Sequence, residues 1–166
     1  MSHKLIRVLA VLVVLVVVRS AGADQVRCRR ALSSESAKDV QAVVQALQRC
    51  HDRQVAGTLP AGTDCATEPG TAARVAKAET RLRGRVASAC GGADHVCGTG
   101  DDDPLAAIGW TAGACPDLAG KGCTNAIHDC GDLGNCLACA GRAAAQESMD
   151  LCYGNLASGE FGTGRA

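Results

Sequence analysis

Aromatic side chains are nearly missing from this sequence. Its 166 residues hold one Trp (Trp110), one Tyr (Tyr153) and one Phe (Phe161), so a core built on large aromatic side chains is excluded. Alanines are many, but each hides little apolar surface, and at roughly 25 cal/mol per Å² such a core is poor. Charge of one sign is also lacking, with 17 basic and 17 acidic residues. No basic footprint for nucleic acid follows. The longest apolar run, Val8 to Val18, has 11 residues, well short of the roughly 18 to 20 that span a bilayer.

That run is framed by Lys4 and Arg7 before it and Ala21-Gly22-Ala23 after it. A basic start, a short apolar stretch and an A-x-A site make a secretory signal peptide over residues 1–23, cut before Asp24, in preference to a retained transmembrane helix. The first cysteine after the cut is Cys28, so a lipid anchor at the new N-terminus is not indicated. No transmembrane anchor is expected after signal cleavage, and the localisation reads as secreted or periplasmic. The leader holds Lys4, Arg7 and Arg19 and no acid, which leaves 14 basic and 17 acidic residues, a net charge of −3.

Cysteine is what the chain does have. All 11 lie after the leader, at positions 28, 50, 65, 90, 97, 115, 123, 130, 136, 139 and 152. In an exported chain this density reads as a disulfide framework, which supplies the stability that a weak core cannot.

Two periodic segments come first. Ala37, Val40, Val43, Val44, Leu47 and Cys50 fall three or four apart, with Lys38, Asp39, Gln41, Gln45, Gln48 and Arg49 on the other face, the pattern of an amphipathic helix. Its start is placed near Ser33-Ser34 or Ser36, with Asp39 as capping-box partner of Ser36. Gly57, Pro60 and Gly62 interrupt the chain. A second helix runs from Thr71 to Cys90, with Ala72, Val75, Leu82, Val86 and Ala89 on one side and Arg74, Lys77, Arg81 and Arg85 on the other, and stops at Gly91-Gly92. If the two fold back antiparallel, Cys50 faces Cys65 and Cys28 faces Cys90. These bridges would close loops of about 15 and about 60 residues, worth roughly 3 kcal/mol and somewhat more. Two independent helices with cysteines paired elsewhere are the alternative.

After Gly92 comes a Gly- and Asp-rich connector in which a bridge from Cys97 to Cys115 is plausible. Cys123, Ile127 and Cys130 are spaced as one face of a short helix starting near Thr124. Gly131 and Gly134 are read as turns, and a last helix runs from about Asn135 to Tyr153. The expected fold is therefore all-α: a disulfide-stapled antiparallel helical hairpin over 24–92, a small cysteine-rich helical region over 93–154, and a flexible tail over 155–166.

The block from "VRC" at Cys28 through "QRCHD", "GTDC" and "VASACGG" resembles cysteine-rich exported proteins of environmental bacteria, over Cys28 to about Gly154. That resemblance implies no particular activity. It is also loosely similar to twin-cysteine helical hairpins of the coiled-coil-helix type, although the 21 and 24 residues between cysteines here are far longer than in those motifs.

Cys136 and Cys139 form a C-x-x-C, but Ala140 follows, which rules out c-type haem attachment. With Asn135 as helix cap, Cys136 could be a redox nucleophile of lowered pKa. Structural pairing is preferred, because no strand precedes the motif. Zinc could use Cys123, Cys130, Cys136, Cys139 and His128, though the spacing matches no strong signature. Asp101-Asp102-Asp103 reads as a solvated turn ending at Pro104 more readily than as a calcium loop. His51, His95 and His128, and the serines at 33, 34, 36, 88, 148 and 158, show no hydrolytic arrangement, and no phosphate loop occurs. The basic clusters Arg27, Arg29, Arg30 and Arg74, Lys77, Arg81, Arg83, Arg85 read as solvated helix faces first and as a site for an anionic partner second.

The resulting expectation is a non-enzymatic, exported structural or binding module with no cofactor and no metal, an unknown protein or surface partner and no nucleic acid. The alternative is a periplasmic thiol-disulfide or metal-handling protein using Cys136 and Cys139. Ten cysteines, Cys28, Cys50, Cys65, Cys90, Cys97, Cys115, Cys123, Cys130, Cys136 and Cys139, are assigned to disulfides. Beyond the hairpin, on the order of 100 connectivities remain open. One cysteine must be free or intermolecular. Cys152 is the candidate, since it lies about 160° around an ideal helix from Cys136 and about 140° from Cys139. Such a thiol could make a disulfide-linked homodimer.

Overall fold

The computed structural model describes residues 3–157 apart from 119, and side chains over 25–154. Three helices are present among them: α1 (His3–Val55), α2 (Pro69–Cys90) and α3 (Cys130–Ala157), and no strand forms beyond an isolated antiparallel bridge between Ala114 and Ala126. The fold is all-α and rich in disulfides. Side chains of the expected leader, and the tail beyond Ala157, lie outside the described residues.

α1 and α2 form the hairpin, joined by the bridges Cys28–Cys90 at one end and Cys50–Cys65 at the other. These are the pairs that antiparallel packing predicts. α1 does not begin at Ser33–Ser36, however, but runs through them. Ser36 donates its hydroxyl to the Leu32 carbonyl at 2.6 Å instead of capping a new helix, the local bond that a serine makes in a helix interior. At α2, Glu68 is the cap: its Oε2 accepts from the Thr71 backbone N–H at 2.6 Å and from its hydroxyl at 2.8 Å, with Pro69 at the first helical position.

The second half departs further from the sequence reading. No helix forms at Thr124, and α3 begins at Cys130, so Gly131 and Gly134 are helical rather than turns and Gly154 does not end the helix. Asp129 starts α3. Its Oδ1 accepts from the Gly131 and Asp132 N–H groups at 2.7 and 2.9 Å, while Asp132 Oδ2 reaches back to the His128 N–H at 3.0 Å. This reciprocal capping outcompetes a start at Asn135. Cys97 bonds Cys130, not Cys115. Cys115 bonds Cys136 and Cys123 bonds Cys139, so three bridges fasten the connector along α3.

α3 packs against both α1 and α2. Two buried clusters result: one joins Leu82, Val86, Ile108, Ile127 and Leu133 with the cystines, the other joins Val43, Leu47, Val75, Ala145 and Met149 at the far end. Of the eight largest side chains that are fully buried, four are cystine halves, Cys28, Cys50, Cys90 and Cys130. The disulfides are thus part of the core as well as its staples.

Glycine permits a close contact between α3 and α1. A β-carbon on Gly141 would stand 3.0 Å from Val40 Cγ2 and 3.4 Å from Asp39 Oδ2, whereas one on Gly84, in the middle of α2, would meet nothing within 4 Å. The two positions should therefore respond in opposite directions. Gly84→Ala is expected to stabilise by about 0.5 to 1 kcal/mol, and Gly141→Leu to destabilise by about 2 kcal/mol or more through overpacking. Urea titrations of both variants with disulfides intact check this.

Candidate functional site

Periodicity places Asp39 on the wet face of α1, but it is 3 % exposed, while Ala37, assigned to the apolar face, is exposed. The stripe that α1 turns inward is Cys28, Leu32, Asp39, Val43, Ala46 and Cys50, in steps of three or four residues apart from the two-turn step of seven from Leu32 to Asp39, and Asp39 occupies a core position within it. Opposite it on α2 stands Glu79, 7 % exposed and flanked by Val75 and Leu82 on the same face. Two carboxylates thus lie inside the helix assembly. Arg142 of α3 lies 3.0 Å from Glu79 Oε1, and Arg83 lies 3.6 Å from its Oε2.

Asp39 receives less. Among the described residues, neither of its oxygens accepts a hydrogen bond. Burial, and then the charge of Glu79, push its carboxyl up from 3.8 to about 6, against the pull of Arg83 and Arg142. An acid in that range suits proton transfer, but both oxygens are sealed from solvent, so no substrate can reach them. The cluster ties α2 to α3 through the Glu79–Arg142 pair and holds the Asp39 carboxyl of α1 beside it without a bonded partner.

A second feature sits at the hairpin tip. His51 stacks on Tyr153 with ring centroids 4.7 Å apart, and Tyr153 donates its hydroxyl to Asp52 Oδ1 at 2.8 Å. That hydrogen bond, with partial burial, raises the Tyr153 pKa above its ordinary value. Gln54 Nε2 donates to the Thr63 and Ala61 carbonyls at 2.7 and 3.0 Å and holds the turn between α1 and α2. Between them opens a cleft of about 290 Å³ walled by His51, Gln54, Val55, Met149 and Tyr153. Among the described residues no hydrogen bond joins His51 to a serine, threonine or cysteine. The arrangement can hold a small ligand and offers no activated nucleophile.

The cysteine candidates fall into place through their bonds. Cys136 and Cys139 are bonded to different partners rather than to each other, and Cys136 is six residues inside α3 instead of at its N-terminus. Cys123 and Cys130, the other thiols of the zinc reading, are also in disulfides. Cys152 is free and exposed.

Comparison with known protein families, curated proteins and solved structures returns no match. Among the described residues, no three His, Cys, Asp or Glu side chains are grouped so as to hold a metal ion. Asp101 and Asp102 spend their carboxylates on closing their own loop: Asp101 Oδ2 accepts from the Ala93 N–H at 2.7 Å, its Oδ1 from the Thr99 hydroxyl at 2.8 Å, and Asp102 Oδ2 from the Gly98 N–H at 2.8 Å. These bonds hold the Asp101 carboxyl below the usual carboxylate range.

The buried cluster was within reach of the sequence only in part. Glu79 lies four residues after Val75 and three before Leu82, which puts it on the inward face by simple counting. Arg142 gives no such sign, because only the packing of α3 brings it to Glu79.

Asp39 gives the cluster a signature in pH. With a folded pKa near 6 against 3.8 unfolded, its contribution favours the folded state fully below about pH 4 and is lost as pH rises through 6. Asp39→Asn should abolish that loss, so the stability of the variant relative to the parent rises by on the order of 2 kcal/mol between pH 4 and pH 7.5. Chemical denaturation of both proteins at the two pH values reads the difference. An unchanged difference would show that Asp39 is not held neutral.

Proposed function

We propose that this chain is an exported disulfide-rich module, secreted or periplasmic, that binds a partner instead of transforming a substrate. The observation that supports this most is the destination of the cysteines: ten of the 11 are consumed in five bridges, which close the hairpin at both ends and fasten the connector to the first half of α3. Such bonding suits an oxidising compartment. It also fixes the surfaces before a partner arrives, which lowers the entropy cost of binding. The surfaces so fixed include the cleft at the hairpin tip and a groove along α1 and α2. Cys152 remains to join a second copy through an intermolecular disulfide.

Intact mass of protein exported to an oxidising compartment, with and without alkylation, followed by non-reducing peptide mapping, tests this reading. The expected result is five intramolecular bridges, with alkylation or a dimer bond at Cys152 alone and no bridge opening preferentially in mild dithiothreitol. A Cys136–Cys139 disulfide that reduces first, or cytoplasmic protein with all thiols alkylated, overturns it.

A further inference from the structure

α2 carries a ridge of like charge that its own fold does not use. Arg74, Lys77, Arg81 and Arg85 are all exposed, and among the described residues none forms an ion pair, although Lys38, Arg53, Arg83 and Arg142 each do. Their spacing of three, four and four residues keeps them within about 80° of arc on one flank of the helix, over about 17 Å. Like charges four apart work against the helix that holds them. One turn past Arg85, the Arg27 guanidinium reaches the Ser88 carbonyl and adds a fifth cation at the end of the row. The chain as a whole is neutral, so this is a segregation of charge and not a general excess.

Beside the ridge lies a groove of about 200 Å³ between α1 and α2. Arg74, Lys77 and Arg81 form one wall; Glu35, Lys38 and Asp39 form the other. Glu35 and Lys38 are paired at 2.5 Å, so an acceptor and a donor are presented side by side. Hydroxyl-rich ligands need both.

We propose that this groove and ridge bind an acidic polysaccharide, with the cations of α2 taking successive carboxylates of the chain and the Glu35–Lys38 pair taking hydroxyls of one sugar. Cations spaced about 4.5 to 6 Å apart along a helix match a polymer that repeats its charge once per sugar. Two other polyanions fit less well. A membrane surface calls for apolar side chains beside the cations, and the large exposed ones, Val26, Val55, Val96, Leu118 and Leu151, are all off α2. Single-stranded nucleic acid calls for aromatic platforms, and neither Trp110 nor Tyr153 lines the groove. The proposal rests on the exported-module reading for where such a polymer is met, and the mass mapping above decides that reading separately.

Calorimetric titration of the full disulfide-bonded protein with a galacturonate octamer provides the test. Binding is expected in 50 mM NaCl and at least tenfold weaker in 300 mM. Lys77→Gln/Arg81→Gln should lose at least tenfold in affinity, while the charge-matched control Arg30→Gln/Lys121→Gln, on faces away from the groove, stays within twofold of the parent. Both pairs are exposed, and circular dichroism should show unchanged helix content. The proposal is overturned if the parent does not bind the octamer or if the two pairs weaken it equally. It is overturned too if phosphatidylglycerol vesicles or DNA, titrated in parallel, bind more tightly through Lys77 and Arg81.

Discussion

Everything in this molecule depends on sulfur standing in for bulk. A helical assembly ordinarily closes its core with Leu, Ile and aromatic side chains, each contributing buried apolar area in proportion to its size. Here the inward positions of α3 are largely small, Ala138, Ala143 and Ala145, and four of the most deeply buried side chains are cystine halves. A cystine fills space between backbones and also restricts the unfolded chain, a second contribution that a packed leucine does not make. The Cys28–Cys90 and Cys50–Cys65 bonds fix the two ends of the hairpin, and three more fasten an irregular connector to α3. Helices built from small residues can approach closely, and Gly141 against Val40 shows the limit of that approach.

Within this frame the polar residues divide by how far solvent can reach them. Asp39 and Glu79 face each other indoors, with Arg83 and Arg142 as the compensating cations. Buried ionic groups of this kind are poor evidence for stability, since desolvation opposes their attraction. The Glu79–Arg142 pair nevertheless ties α2 to α3 at one point beside Asp39 of α1, which distinguishes the observed register from one slid by a turn. Outdoors, the opposite flank of α2 carries cations with no such partners. One helix therefore serves assembly on one side and leaves charge available on the other.

Much of the hairpin was legible in the sequence, because its causes are local. The 3.6-residue period, the breakers between Gly57 and Gly62 and the placement of Cys28, Cys50, Cys65 and Cys90 all act over short stretches or over a single fold-back. The errors share a reason. Ser36 and Asp39 look like a capping pair to any rule that sees only neighbours, yet α1 continues through both, and Asp39 turns inward with the stripe set by Cys28, Val43 and Cys50. Asp129 and Asp132 carry a capping signal that glycines at 131 and 134 obscured. Of the two, Gly131 spares space, since a β-carbon there would stand 3.0 Å from Asp129 Oδ1 and 3.3 Å from Cys97 Cβ, whereas one on Gly134 would make only ordinary contacts with Arg83 and Val86.

The sequence by itself determined the helical class, the two hairpin bridges and the shortage of core that makes cross-links necessary, since composition and periodicity are properties of the chain alone. Only the tertiary structure decided the pairing of Cys97, Cys115 and Cys123 with Cys130, Cys136 and Cys139, the meeting of Arg142 with Glu79, and the groove that places Lys38 of α1 opposite the cations of α2. Each of these depends on how distant segments are oriented in space, and a connector without periodicity carries no local signal that fixes that orientation.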